Sequence, residues 1–150
     1  MIFIEKFIDK KIVKKINYVL NQNKINYLSS VDNTQKGKQS ENIVHLFDQE
    51  LFKKFIPFNF GDKVFYIHYI KYDKGGYQLP HNHAGHEDYS FLLYLNQGTG
   101  DTVFKFKTFT YTIKPDKGKF IFFSSHILHE AKEVKTKKEI LVGSIKNVQR

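Results

Sequence analysis

The sequence predicts a mainly β fold that carries its helices in the first sixty residues. Three observations predict it. After position 63, apolar residues recur in short runs broken by Gly and Pro; those runs are dominated by aromatic and β-branched residues; and helical periodicity is confined to the N-terminal side. Short strands in succession, with no helices between them, form a sandwich or barrel rather than a doubly wound sheet. The expected organisation is one domain over 1–150, with 1–60 as a helical N-terminal support and 61–150 as the β core.

In chain order, residues 8–20 read as an amphipathic helix. Ile8, Ile12, Ile16, Val19 and Leu20 fall at helical spacing, Asp9 is placed to cap the start, and lysines take the other face. The polar stretch Ser29–Glu41 reads as a mobile surface loop and a candidate substrate-facing segment. A short helix is expected near Asp48–Phe55, with Phe47, Leu51 and Phe55 on one face and Pro57 ending it. Strands follow at Val64–Tyr72, Ser90–Asn96, Lys119–Ser124 and Glu139–Ile145. Thr102–Ile113 alternates Phe with Lys or Thr, as a half-exposed strand or hairpin does.

Composition narrows the chemistry. The chain of 150 residues is 41% hydrophobic, enough for a core, with 15 Phe and 9 Tyr. It has no cysteine, which excludes disulfides, thiolate metal sites and a Cys nucleophile. Any metal must be held by His, Asp or Glu, a ligand set suited to Fe, Mn, Zn or Ni. No apolar run approaches the roughly 20 residues that span a bilayer, and the start MIFIEKFIDKKIVKK lacks a secretory layout. The expectation is a soluble cytoplasmic protein without a membrane partner. Net charge is +9, almost all from Lys, with Arg150 the one arginine. Phosphate recognition favours the arginine fork, so nucleic acid is not favoured as a partner.

Histidines concentrate the chemistry. Five of seven lie between positions 81 and 129, and three of these share one loop, His81-Asn82-His83-Ala84-Gly85-His86-Glu87-Asp88. On a strand, His81 and His83 point the same way, because side chains repeat every two residues. Two imidazoles on one face at a strand end make a metal clamp. A third ligand from a distant strand, with His126 and His129 as candidates, closes one side and leaves the other open for substrate.

These segments resemble the iron(II)- and 2-oxoglutarate-dependent dioxygenases, particularly the prolyl-4-hydroxylase-like branch. YDKGGYQLPHNH (72–83) is similar to the family's Tyr-x-x-Gly lead into a His-x-Asp ligand pair. FLLYLN (91–96) followed by GTGDTVF (98–104) is similar to its strand and hairpin. The pattern from Pro115 through Gly118 and Phe123 ends at His129 in the family's order. The resemblance implies a double-stranded β-helix, a jelly-roll or cupin-like barrel. It also implies Fe(II) and 2-oxoglutarate as cofactors, O2 as cosubstrate, and hydroxylation of a substrate C–H bond, with a peptidyl or amino-acid side chain as one class of target.

Carried over residue by residue, the resemblance makes His81 the first iron ligand and His129 the distal one. His126 then falls where a packing or pocket residue sits. Lys138, nine residues beyond His129, stands where the family places a basic residue to pair the distal carboxylate of 2-oxoglutarate. Tyr94 matches a tyrosine that hydrogen-bonds the same carboxylate, and Tyr72 lines the pocket from a neighbouring strand. Two departures stand out. The family's usual Asp is His83 here, giving the catalytic metal set His81, His83 and His129, with Asp88 in reserve and Glu87 a second carboxylate in the same loop. Lysine replaces the usual arginine at 138, which keeps the charge and loses the planar fork. The rival reading is a cupin-type metal-dependent dioxygenase or small-ligand binder that does not use 2-oxoglutarate. It rests on the spacing from Gly75 to His81, His83 and Glu87.

Overall fold

A computed structural model of the protein describes residues 1–29 and 34–146. In chain order the elements are β1 (Phe3–Phe7), α1 (Lys10–Gln22), β2 (Thr34–Gln39), α2 (Gln49–Lys53), β3 (Val64–His81), β4 (Tyr89–Tyr94), β5 (Thr102–Lys105), β6 (Thr110–Ile113), β7 (Lys119–Ser124), β8 (Leu128–Ala131) and β9 (Lys138–Ile145). The strands form one curled antiparallel sheet in the order β1-β7-β4-β9-β3-β8-β5-β6, with β2 paired to β3 off this path. This is the half-open barrel expected of a double-stranded β-helix. No helix among the described residues is long and apolar enough to cross a membrane.

Helix α1 forms where the periodicity places it. Asp9 caps it by accepting from the Lys11 N–H at 2.8 Å, and Val13, Ile16 and Leu20 bury its apolar face. Each such side chain contributes on the order of 1.5–3 kcal/mol when fully buried. Helix α2 is shorter than the sequence suggests. Asp48 caps it, and Leu51 and Phe52 are its buried residues. Phe55 follows it and packs edge-on against Phe91 and Phe120.

The sheet separates two cores. On its outer face Ile16, Leu20 and Phe52 from the helices meet Phe91, Phe120, Leu141 and Ile145. On its inner face Ile70, Tyr72, Leu92, Tyr94, Phe104, Phe123 and Ile140 line the inside of the curl. Gly143 on β9 is required by the outer core. A Cβ there would lie 2.0 Å from the ring of Phe91, far inside contact distance. The long strand β3 pairs with β9 over Val64–Tyr72 and with β8 at Gln78 and His81. It changes partner across Gly75, which has φ +86°, and Gly76, whose Cβ would meet the Lys36 carbonyl at 2.7 Å. Bends of this kind let one strand turn a corner between sheet regions.

Three expectations are corrected. The polar stretch expected to be a mobile loop over Ser29–Glu41 contains strand β2, with residues 30–33 outside the described set. Its polar composition hid it, because the pairing belongs to the backbone and, among the described residues of the stretch, only Thr34 and Ser40 are buried. Gly37 faces the Tyr72 ring, where a Cβ would sit 3.2 Å away. Secondly, the first sixty residues are not purely helical: β1 extends the sheet beside β7. Ile2 and Ile4 turn to the outer core and Phe3 to the inner one, a two-residue alternation present in the sequence. Thirdly, the helical support does not stop short of the β core, since β2 pairs along β3.

Candidate active site

The topology explains how distant histidines meet. His81 ends β3 and pairs directly with His129 of β8. His83 lies two residues past the strand end, and its N–H donates to the Ser125 carbonyl at 2.8 Å, which ties the loop to the turn before β8. One ring nitrogen from each of His81, His83 and His129 lies within 4.8 Å of the others. Ring centroids are 4.4 Å apart for His81 and His129, 5.0 Å for His81 and His83, and 5.3 Å for His83 and His129.

Hydrogen bonding sets the tautomers. His81 Nδ1 lies 2.7 Å from the Leu79 carbonyl, and His129 Nδ1 lies 3.0 Å from the Ile127 carbonyl. A carbonyl only accepts, so both Nδ1 atoms carry the proton and both Nε2 atoms keep a lone pair. His83 Nδ1 faces Glu87 Oε1 at 3.4 Å. The His129 ring is wedged between Phe104, stacked at 5.6 Å, and Phe123, edge-on at 5.0 Å.

Burial makes all three good donors. It holds His129 down to about 3, helped by the neighbouring His81. It holds His83 down to about 4, with His81, His86 and His68 adding to the effect. His81 is lowered by burial as well. Near neutral pH the rings are unprotonated and open to a cation. Three imidazole nitrogens suit iron, nickel or zinc, so the residues present fit a metal of this type.

These side chains line a cavity of about 430 Å³ that Lys138 lines as well. Lys138 is 1% exposed, and Nζ donates to the Gly100 carbonyl at 2.7 Å. Gly100 has φ +88°, and a Cβ there would strike Val134 at 2.8 Å, so glycine is needed to bring that carbonyl under the ammonium. Nζ also lies over the rings of Tyr72 and Tyr94, at 5.1 and 5.7 Å. Among the described residues no carboxylate forms an ion pair with it. Burial pulls its ammonium down to about 8, against the opposing charge of Asp101.

The sequence-predicted residues fall into distinct places. His81, His83 and His129 converge, and Lys138 lies in the same cavity. Tyr72 and Tyr94 do not line the cavity; they are fully buried and flank Lys138 from beneath. The Tyr94 hydroxyl bonds Thr102 Oγ1. Among the described residues the Tyr72 hydroxyl finds no hydrogen-bond partner. Burial pushes it above the usual phenol value, and Thr34 offsets part of this without satisfying the hydroxyl. Asp88 stands outside the group of three; its N–H donates to the Ile145 carbonyl and its carbonyl accepts from Ser125. His126, expected as a packing or pocket residue, is exposed in the turn before β8. The turn directs position 126 outward while Ile127 takes the buried place.

Several polar cavity residues were not singled out from the sequence, among them His68, Gln39, Gln78, Ser90, Thr102 and Ser144. His68 on β3 points inward with Tyr66 and Ile70, its Nδ1 2.8 Å from the Ser40 carbonyl. The alternation of that strand was its signal. Gln39 and Thr102 had no signal beyond polarity.

A curled sheet whose inner face converges three neutral imidazoles above one buried cation defines a metal-dependent oxygenase of the double-stranded β-helix class. A sequence profile of the 2OG-Fe(II) oxygenase superfamily matches residues 65–144, more than half of the chain. The chain belongs to that superfamily and is an Fe(II)- and 2-oxoglutarate-dependent oxygenase, which removes the cupin-type alternative. Among solved structures it is similar to a Pseudomonas putida prolyl-4-hydroxylase, at 14% identity and TM-score 0.71, covering 97% of this chain and 92% of that one. It is similar to a Trichoplax adhaerens prolyl hydroxylase in complex with a hypoxia inducible factor peptide fragment, at 14% identity and TM-score 0.70, covering 96% and 83%. It is also similar to HygX of Streptomyces hygroscopicus with nickel, 2-oxoglutarate and hygromycin B bound, at 6% identity and TM-score 0.67, covering 98% and 83%. No curated protein matches the chain by sequence.

Proposed function

We propose that this oxygenase hydroxylates a C–H bond of a peptidyl or amino-acid side chain, holding its metal on His81, His83 and His129 and its 2-oxoglutarate on Lys138. One observation carries this reading: the three-imidazole group and the buried lysine line a single cavity.

The bound iron supplies the oxidative chemistry, coupling decarboxylation of 2-oxoglutarate to succinate with oxidation of the substrate. The protein's residues do the rest. One ring nitrogen from each of His81, His83 and His129 would hold the metal, since these atoms lie within 4.8 Å of one another. Lys138 pairs an incoming carboxylate and so relieves its own isolation, since a desolvated anion and a desolvated cation each need a partner. The Tyr72 ring lies under that ammonium, 5.1 Å from Nζ to its centroid. Phe104, Phe123 and Ile140 line the same cavity and keep water from it. At the mouth Phe65 and Tyr66, each more than a third exposed, stand with His68 and Gln39 where a substrate enters. The similar fold of a Trichoplax adhaerens prolyl hydroxylase in complex with a peptide fragment supports a peptidyl substrate.

The test is turnover. Protein reconstituted anaerobically with Fe(II) is given O2, 2-oxoglutarate and panels of peptides and free amino acids. Succinate is followed by NMR and substrate by mass. The expected result is succinate release with a substrate gain of one oxygen atom. Succinate released equally by the His129→Ala variant, or oxygen gained by no peptide or amino acid, sinks the reading.

A further inference from the structure

We propose that Glu87 supplies, from one imidazole further out, the negative charge that the family's carboxylate ligand supplies at position 83, by accepting a hydrogen bond from His83 Nδ1. The inference rests on the three-imidazole reading of the metal site and adds a positioning residue to it.

The three histidines are not equivalent. His81 and His129 give Nδ1 to neutral backbone carbonyls. Only His83, standing where the resemblance places Asp, has its Nδ1 facing a carboxylate, at 3.4 Å. That carboxylate is built in rather than loosely placed. Its side chain is 5% exposed. Ser90 Oγ donates to Oε2 at 2.6 Å, and Ser144 Oγ donates to Oε1 at 2.9 Å. The serines come from β4 and β9, the two strands behind the histidine loop. Among the described residues lining the cavity, Glu87 is the only acid.

No lysine or arginine pairs with Glu87 among the described residues. A buried carboxylate held by neutral hydroxyls alone lacks the cation that such a group needs. A divalent metal on the far nitrogen of His83 provides that cation through the ring. An imidazole whose Nδ1–H points at a carboxylate is a stronger donor at Nε2 and is fixed in one tautomer. A neutral three-histidine set thereby regains the charge it lost with the aspartate. The competing role for Glu87 is mechanical, tying the loop to β4 and β9 through its serine bonds.

Glutamine separates the two roles, since its amide keeps an acceptor for Nδ1 and drops the charge. Co(II) is titrated anaerobically into wild type, Glu87→Gln, Ser144→Ala and His129→Ala, with the Tm of each metal-free protein measured alongside. The expected Glu87→Gln protein keeps its Tm and binds Co(II) roughly 10- to 100-fold more weakly, the usual cost of losing a ligand's outer partner. Ser144→Ala shifts affinity the same way by less. In the Zn(II)-loaded protein the His83 Nδ1 proton resonance moves upfield on Glu87→Gln. Wild-type Co(II) affinity in a folded Glu87→Gln protein, with that resonance unmoved, overturns the proposal and leaves Glu87 a tether. If Glu87→Gln fails to fold, unchanged affinity in Ser144→Ala overturns it instead. Wild-type protein whose Co(II) affinity is indifferent to His129→Ala overturns the three-imidazole reading, and the proposal with it.

Discussion

The histidine group and the lysine of the cavity solve opposite electrostatic problems. The three imidazoles are kept neutral by burial and by one another, so that the group gains a cation only when a metal arrives. Lys138 is a cation buried among phenol rings and one carbonyl, a charge in place before its partner comes. The histidine group is open and built at a strand end and its loop, where His81 and His83 are only partly buried. The surroundings of Lys138 are closed: Lys138 at the start of β9 and Tyr94 at the end of β4 are fully buried. The difference teaches an order of costs. A neutral donor set costs little to fold around, whereas a lone buried ammonium is held at a penalty that an anionic ligand removes.

The largest expected effect is at the histidine group. His129→Ala or His81→Ala removes one of three donors. The loss in metal affinity, measured by Co(II) titration, should exceed the roughly 10- to 100-fold cost of losing an outer partner. Retained affinity in both variants would erase the distinction between the histidines and Lys138. At the lysine, Lys138→Ala should raise the 2-oxoglutarate KM roughly 10- to 100-fold, the worth of a hydrogen bond to a charged group. Metal binding should be spared, and a matching loss of metal would show that the two sites are not separable.

A pH series sharpens the contrast. Lys138 titrates at about 8, below the ordinary 10.5. It is therefore charged and binding-competent below that value, and 2-oxoglutarate affinity should be flat below neutrality and weaken as pH rises through 8. Lys138→Ala should abolish that dependence. The unfolded chain keeps this proton up to its ordinary value, so the same group makes metal-free stability rise between 8 and 10.5. The histidines act in the acid range. His129, held at about 3 when folded, binds its proton more readily unfolded, so metal-free stability should fall as pH drops from 6.5 towards 3. Chemical denaturation across both ranges measures the two slopes, and a flat profile would contradict the burial of these groups. The smallest effect is expected from His126→Ala, whose exposed ring lies outside the cavity. Metal affinity should be unchanged there.

Legibility followed side-chain pattern. The strands with strong apolar runs, β4 and β7, were readable because their burial on both faces leaves an uninterrupted signature. Helix α1 was readable from its cap and its period. Strand β2 was not, because TQKGKQ carries almost no apolar residue and owes its place to backbone pairing with β3. The histidine cluster was visible in order and spacing, and Lys138 through its distance from His129. Glu87 was visible only as a rival metal ligand. That it faces Nδ1 of His83 from behind depends on serines 3 and 57 positions away.

By itself the sequence determined the donor types, the confinement of the chemistry to His, Asp and Glu, and the alternation that turns one set of side chains inward. Tertiary structure alone decided which residues meet. Pairing across a sheet sets neighbours by register rather than by chain distance, so His81 finds His129 only once β3 and β8 are aligned. The depth of Lys138, the phenol ring under it and the carboxylate behind His83 likewise come from burial, which belongs to the folded whole and to no single segment.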